Sequence, residues 1–110
     1  MTVSDICDVI KAQGVCGDLS KNFDGVYIGD LLSRAMSHVE YGNLWITIMS
    51  NINVVAVAAL TEPAAIILAE GVELQEEALA GAKENGITVI SSELSAYEIA
   101  VKLNTAVSES

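Results

Sequence analysis

Polar side chains gather just after the strands that this sequence predicts, and their types suit the binding of a small molecule. They are Ser50, Asn51 and Asn53 in one loop, Glu70 and Gly71 in the next, and Ser91 and Ser92 in a third. In an open parallel sheet, ligands bind beyond the carboxyl ends of the strands, where helix N-termini present unpaired amides. This acidic, amide-rich set favours a neutral, cationic or nucleotide-like metabolite over a free phosphate. The same residues also suit simple helix capping, and that alternative stays open.

Residues that could act as an acid or base are few. Asp30, His38 and Glu70 are the candidates, and His38 is the sole histidine. Ser33 and His38 are five residues apart, so they do not share a helix face as a nucleophile and its base would. Neither a Gly-Lys-Ser/Thr phosphate loop nor a dinucleotide-binding glycine pattern occurs. The sequence therefore predicts no catalytic residue and no cofactor.

Metal binding and disulfide formation are also not indicated. Cys7 and Cys16 are too few and too far apart for a zinc knuckle. In a reducing cytoplasm, we expect both to be small, buried, apolar side chains.

Composition bounds the class of protein and its partners. The chain has 110 residues, 52% apolar and 18% charged, with a formal net charge of −10. This length suits one domain with one packed core. Such an acidic surface repels nucleic acid and anionic membranes.

One uncharged segment, Tyr41 to Thr61, raises the question of a membrane span. Its polar centre, Ser50 to Asn53, argues against a span, and no basic anchor follows it. The first residues, MTVSDICD, do not have the basic start and long apolar run of a secretory signal. We expect a cytoplasmic protein.

The elements that position these residues alternate along the chain. Helices are predicted from Ser4 to Gln13, from an Asp30 cap to Val39, over residues 52–60, from Leu74 to Lys83, and from a Ser95–Glu98 capping box onward. Strands are predicted at Val26–Ile28, Leu44–Met49, Ala64–Ala69 and Ile87–Ile90. Val15–Cys16 is either a loop or a short edge strand. Residues 52–60 are β-branched and could also pair as a hairpin strand. A helix is favoured because the flanking strands read as parallel neighbours, which need a crossover.

This alternation predicts an α/β fold: one domain over residues 1–110, with a mostly parallel sheet of about four strands and helices on both faces. The core is expected over about residues 4–105, and residues 106–110 are expected to fray. The pattern leaves the strand order open.

Three blocks of sequence together resemble the DRTGG domain, an α/β module related to the N-terminal domain of HPr kinase/phosphorylase. They are GVYIGDLLSRAM at Gly25–Met36, LWITIMSNINVVAVAAL at Leu44–Leu60, and AAIILAEG followed by GITVISSELSAYEIAVKL. The resemblance covers about Ser4 to Leu103. It implies a domain that regulates or mediates dimer contacts, alone or joined to CBS pairs or enzymes. In the kinase relative, the catalytic phosphate loop lies in a separate domain.

The residues that give the family its name differ here. Asn51-Ile52 stands where the family tends to have Asp-Arg, and Ala69-Glu70-Gly71 stands where it tends to have Thr-Gly-Gly. Losing the arginine and gaining Glu70 makes the cleft less cationic, so anion binding is not carried over.

Three hypotheses follow. The first is a non-catalytic regulatory or interaction domain that forms a homodimer, because a small, apolar-rich chain cannot cover all its apolar surface alone. The second is a small-molecule sensor that uses the carboxyl edge of the sheet. The third is an enzyme of unknown chemistry.

Overall fold

Helices and strands alternate through residues 1–109, the part of the chain that the computed structural model describes. In chain order they are α1 (Val3–Val9), β1 (Ala12–Cys16), β2 (Val26–Ile28), α2 (Leu32–His38), β3 (Leu44–Thr47), α3 (Ile52–Thr61), β4 (Ala65–Leu68), α4 (Glu76–Glu84), β5 (Val89–Ser92) and α5 (Ala96–Glu109). The later strands and helices differ from the predicted ones by one or two residues at most ends, which is the usual uncertainty of such boundaries.

The strands form a single sheet in the order β1-β5-β4-β3-β2. Strands β2 to β5 run parallel, with Val26 beside Leu44, Trp45 beside Ile66 and Ile67 beside Ile90. The predicted parallel sheet is therefore confirmed, but it has a fifth strand. β1 pairs antiparallel with β5 at the edge of the sheet, from Ala12 opposite Ser92 to Cys16 opposite Val89.

The prediction that the first helix continues to Gln13 was wrong. α1 begins at a Thr2 cap, where the Thr2 hydroxyl and the Asp5 carboxylate each accept a hydrogen bond from the other residue's backbone amide. The helix ends at Ile10, and Lys11 has a φ of +54°. This left-handed residue reverses the chain, so the residues after it pair with β5 instead of continuing the helix.

Helices cover both faces of the sheet, as predicted. The face that carries Trp45, Ile66 and Leu68 packs against α2, α3 and α4. The face that carries Ile46 and Ile67 packs against α1 and α5. Because successive strand residues point to opposite faces, the two-sided burial explains why these strands are continuously apolar.

The ambiguous segment after β3 is a helix, as favoured from the sequence. Asn51 caps α3, and Glu62 ends it with a φ of +55°. Val54, Val55, Val57 and Ala58 of this helix are buried against the sheet. Tertiary packing has overridden the low helix propensity of its valines.

The last helix starts at the predicted capping box. The Ser95 amide donates to the Glu98 carboxylate at 3.1 Å, and the Glu98 amide donates to the Ser95 hydroxyl at 3.2 Å. α5 extends to Glu109, so residues 106–109 of the expected frayed tail are helical, while Ser110 lies outside the described residues. Within residues 1–109, no helix combines the length and the hydropathy that crossing a bilayer requires.

Candidate functional site

The seven predicted ligand-binding residues all lie at or beyond the carboxyl ends of β3, β4 and β5. The fold therefore places them at the end of the sheet where the parallel strands finish. We call this end the carboxyl edge, which is distinct from the outer strands β1 and β2. Their hydrogen bonds show what each residue does there.

The loop after β3 serves mainly to start α3. The Asn51 side chain accepts a hydrogen bond from the Asn53 amide at 3.0 Å, which caps the helix, and the Asn53 side chain is exposed. The Ser50 carbonyl accepts a hydrogen bond from the Gln75 amide at 2.9 Å. This bond joins the loop after β3 to the loop after β4.

The loop after β4 is in turn joined to the loop after β5. The Glu70 amide donates to the Leu94 carbonyl at 2.8 Å, and the Gly71 amide donates to the Ser92 carbonyl at 2.9 Å. Glu70 has a φ of +59°, and its side chain is exposed. A Cβ at Gly71 would lie 3.3 Å from the Glu93 carboxylate, so the two loops are in close contact.

Ser92 is a structural residue in this arrangement. Its buried hydroxyl donates to the Ile10 carbonyl at 2.7 Å and accepts from the Leu94 amide at 3.1 Å. The donor and one acceptor position of this hydroxyl are used inside the protein, and the side chain is 2% exposed, so these bonds give it a structural role. Ser91 is half-buried beside it and makes no side-chain hydrogen bond among residues 1–109.

The candidate base His38 lies apart from the candidate acids Asp30 and Glu70. Asp30 does not cap α2 as predicted; its Oδ1 accepts from the Thr47 hydroxyl at 2.7 Å and from the Ile48 amide at 2.9 Å. The N-cap of α2 is Leu31, and it makes no side-chain hydrogen bond. Asp30 therefore fastens the end of β2 to β3.

His38 is at the far end of α2 from Asp30, and the rise of a helix of this length separates the two ends of α2 by about 10 Å. Its Nδ1 lies 2.9 Å from the Arg34 carbonyl and 3.0 Å from the Ser37 hydroxyl, and its ring stacks on Tyr27. This geometry separates His38 from the carboxyl edge, where Asp30 and Glu70 lie, and leaves no acid–base pair.

Titration of side chains is perturbed mainly at caps and turns. Backbone hydrogen bonds to Thr2 and Ser95 lower the pKa of Asp5 and Glu98, and the Ser20 hydroxyl lowers that of Asp18. Cys7 and Cys16 are half-buried and not fully buried as expected, and burial raises the pKa of both thiols, which favours the neutral thiol over the reactive thiolate at neutral pH. Among the described residues, no three histidine, cysteine or carboxylate side chains group closely enough to hold a metal ion.

Two concave surfaces lie away from the carboxyl edge. A cavity of about 560 Å³ lies at the amino edge of the parallel strands, between the loops at Lys21, Tyr41, Glu62 and Asn85. Sequence reasoning did not single out these residues, although the turn pairs Tyr41-Gly42 and Asn85-Gly86 before β3 and β5 were a usable signal.

The second is a groove of about 340 Å³ that runs between β2 and α5. We call it the β2–α5 groove; it is lined by Phe23, Asp24, Gly25, Val26, Ile28, Ala100, Leu103, Asn104 and Val107.

The order of the strands is consistent with loops that bond one another at the carboxyl edge. A crevice forms in open α/β sheets where the strand order reverses and neighbouring crossover helices lie on opposite faces. Here β2, β3, β4 and β5 follow one another in a single direction, and their crossover helices α2, α3 and α4 share one face. The described strands have no point of reversal between parallel neighbours.

A family model described as the DRTGG domain matches residues 5–106. No curated protein matches the chain. Among solved structures, a similar one is the crystal structure of the CBS and DRTGG domains of the regulatory region of Clostridium perfringens pyrophosphatase, complexed with the activator diadenosine tetraphosphate. The TM-score is 0.74 at 16% sequence identity. The match covers 93% of this chain but only 45% of that one, so this chain spans less than half the length of its structural neighbour.

Proposed function

This chain belongs to the DRTGG domain family, and we propose that it is a non-catalytic regulatory domain that acts by binding. The observation that carries the proposal is the family match over residues 5–106. The geometry supports it, because at the carboxyl edge, which would carry a reaction in an α/β fold, the loops bond one another through their backbones. We also propose that the domain is related to the N-terminal domain of HPr kinase/phosphorylase and that it is located in the cytoplasm.

A homodimer is the finer part of the proposal. Large apolar side chains that are exposed on the described chain support it, among them Leu31 at 63%, Leu60 at 71% and Tyr97 at 77%. Size exclusion with light scattering should give twice the monomer mass at tens of micromolar, where moderate affinities populate a dimer. A monomer throughout that range would contradict the homodimer.

A small-molecule sensor is the second candidate function, and the amino-edge cavity favours it. A volume of about 560 Å³ is in the range of sites for metabolites. Its lining combines the Lys21 ammonium, the Glu62 carboxylate and the exposed Tyr41 ring. The pyrophosphatase regulatory region, 45% of which matches this fold, was solved with the activator diadenosine tetraphosphate.

The two candidates differ in a thermal-shift screen of nucleotides, sugars and amines. A ligand of the folded state raises the melting temperature in proportion to the logarithm of its concentration. If a compound does so, Tyr41→Ala should abolish the shift, whereas Ser91→Ala at the carboxyl edge should leave it unchanged. The reverse result would return the site to the carboxyl edge, and no shift across the screen would favour protein binding alone.

A further inference from the structure

We infer that the free edge of β2 binds an extended segment of a partner protein, one with apolar residues at alternate positions and a basic residue at each end. This inference rests on the proposed binding function and names the surface and the partner chemistry. Strand β2 is the last strand on its side of the sheet and pairs only with β3 among the described residues.

The backbone of β2 presents unpaired hydrogen-bonding groups to the outside. The Gly25 carbonyl accepts from the Leu44 amide, and the Gly29 amide donates to the Ile46 carbonyl, so odd-numbered residues face β3. Because alternate residues of a strand turn their amides and carbonyls to opposite sides, those of Val26 and Ile28 face outward. An added strand would satisfy all four groups, which is the mode of binding called β-augmentation.

An apolar surface lies directly beside this edge. Val26 and Ile28 are 43% and 49% exposed, and they share the sheet face that α5 covers farther in. They form one wall of the β2–α5 groove, and Ala100 and Leu103 form the other. Alternate side chains of an added strand would enter this groove, and their burial would supply affinity.

Charge selects the partner. Asp24 and Asp30 follow directly outside the two glycines that bound β2, and the chain carries a net charge of −10. A second copy paired antiparallel, with Val26 opposite Ile28, would place Asp24 of one copy opposite Asp30 of the other, which is unfavourable. The Oδ1 of Asp30 is already bonded to Thr47 and Ile48. A lysine or arginine at each end of the segment would therefore meet the exposed Asp24 carboxylate and the remaining oxygen of the exposed Asp30.

The spacing defines a probe. Asp24 and Asp30 are six residues apart in the sequence, so a heptapeptide spans β2 and reaches both. The heptapeptide KTVTVTK, with blocked ends, places a lysine at each end and two valines opposite Val26 and Ile28. Its pattern is symmetric, so it fits in either strand direction. The matched control is ETVTVTE, which has the same apolar pattern and opposite charge.

The experiment is a titration of the ¹⁵N-labelled chain with each peptide to millimolar concentration, followed by NMR. With KTVTVTK, the amide signals of Val26 and Ile28 should shift and their hydrogen exchange should slow. The dissociation constant should rise about fivefold in high salt, the factor expected for two exposed ion pairs. The dissociation constant of ETVTVTE should be equal to or higher than that of KTVTVTK in high salt.

Ile28→Pro tests the edge without breaking the sheet. The Ile28 amide faces outward, so proline removes an edge donor and leaves the hydrogen bonds to β3 in place. This variant should keep the wild-type spectrum away from β2 and lose KTVTVTK binding about tenfold. Ile28→Val, which keeps the amide and the apolar character, should bind like the wild type.

The outcomes separate this inference from the proposed function. Absent shifts at β2, or equal binding of Ile28→Pro, would overturn the inference. If the chain is also a dimer that Ile28→Pro leaves intact, the proposed function stands with another surface. Shifts at Val26 and Ile28 upon dilution without peptide would instead assign this edge to a second copy, and would also overturn the inference.

Discussion

Replacing Ser92 with alanine separates a structural role for this residue from a ligand-binding one. The Ser92 side chain is 2% exposed, and its hydroxyl bonds the Ile10 carbonyl at 2.7 Å and the Leu94 amide at 3.1 Å. It thereby fastens the end of α1 to β5 and begins the turn into α5. Alanine removes both hydrogen bonds and leaves the two backbone groups without a partner.

The expected loss follows from those two groups. A buried polar group left unsatisfied costs about 1–3 kcal/mol. Ile10 is fully buried and the Leu94 amide is partly buried, so we expect about 3 kcal/mol in total. The free energy of unfolding of a domain of this size is about 5–15 kcal/mol. The melting temperature should therefore fall by about 13 °C.

Urea unfolding followed by circular dichroism measures this loss, and the dependence on urea should keep the wild-type slope. Ser91→Ala is the matched control, because Ser91 is the same residue type one position away and makes no side-chain hydrogen bond. We expect its free energy of unfolding to stay within about 0.5 kcal/mol of the wild type. A Ser92→Ala variant as stable as Ser91→Ala would refute the structural role.

Two further predictions concern backbone fit and acid stability. A Cβ at Gly17 would lie 2.4 Å from the Thr88 Cα at a φ of +90°, so Gly17→Ala should cost about 3 kcal/mol or more. At Gly86, φ is +66° and an added Cβ would have no contact within 4 Å, so Gly86→Ala should cost about 1 kcal/mol. Equal losses for Gly17→Ala and Gly86→Ala in urea unfolding would contradict this reasoning. Ser95→Ala should cost about 1 kcal/mol at neutral pH by removing the α5 cap, and a loss below a few tenths would contradict that role. The folded-state pKa of Glu98 is lowered, so its charge stabilises the fold above about pH 4 and loses this effect as the pH falls through the folded pKa. The stability gap between wild type and Glu98→Gln should therefore close in acid, and a gap that stays constant from pH 7 to pH 3 would contradict it.

The parallel sheet was predictable because its strands are buried on both faces. Trp45 and Ile46 are neighbours in the sequence that point to opposite faces, and both are fully buried. Such burial requires apolar residues at every position, and the sequence shows this directly. The α5 start was predictable for a local reason, since Ser95 and Glu98 satisfy each other's backbone amides without help from the rest of the fold.

Strand β1 was only partly predictable because no local pattern determines it. Gln13, Gly14 and Val15 are exposed, so the strand carries no alternation of apolar and polar residues. Its hydrogen bonds are made to β5, which lies more than seventy residues later in the chain. The turn that directs it there depends on Lys11 in a left-handed conformation, which lysine rarely adopts.

The candidate site depended on a feature that the sequence pattern does not encode. Polar residues after parallel strands line a crevice only where the strand order reverses, and order is set by tertiary packing. In this chain each strand from β2 to β5 is added on the same side of the one before it. Loops at the carboxyl edge are then close neighbours, and the backbone amides of Glu70 and Gly71 donate hydrogen bonds to the Leu94 and Ser92 carbonyls, at and just after the end of β5.

Such a one-directional sheet has a consequence for binding. Because α2, α3 and α4 all occupy one face, the opposite face depends on α1 and α5, which come from the two ends of the described chain. These two helices shield β3, β4 and β5 but leave Val26 and Ile28 at the edge about half exposed. The topology that brings the loops of the carboxyl edge together therefore also leaves β2 open. An added strand in either direction would extend the sheet by one position and cover these side chains, so the same physical cause favours binding through the sheet edge over binding in a crevice.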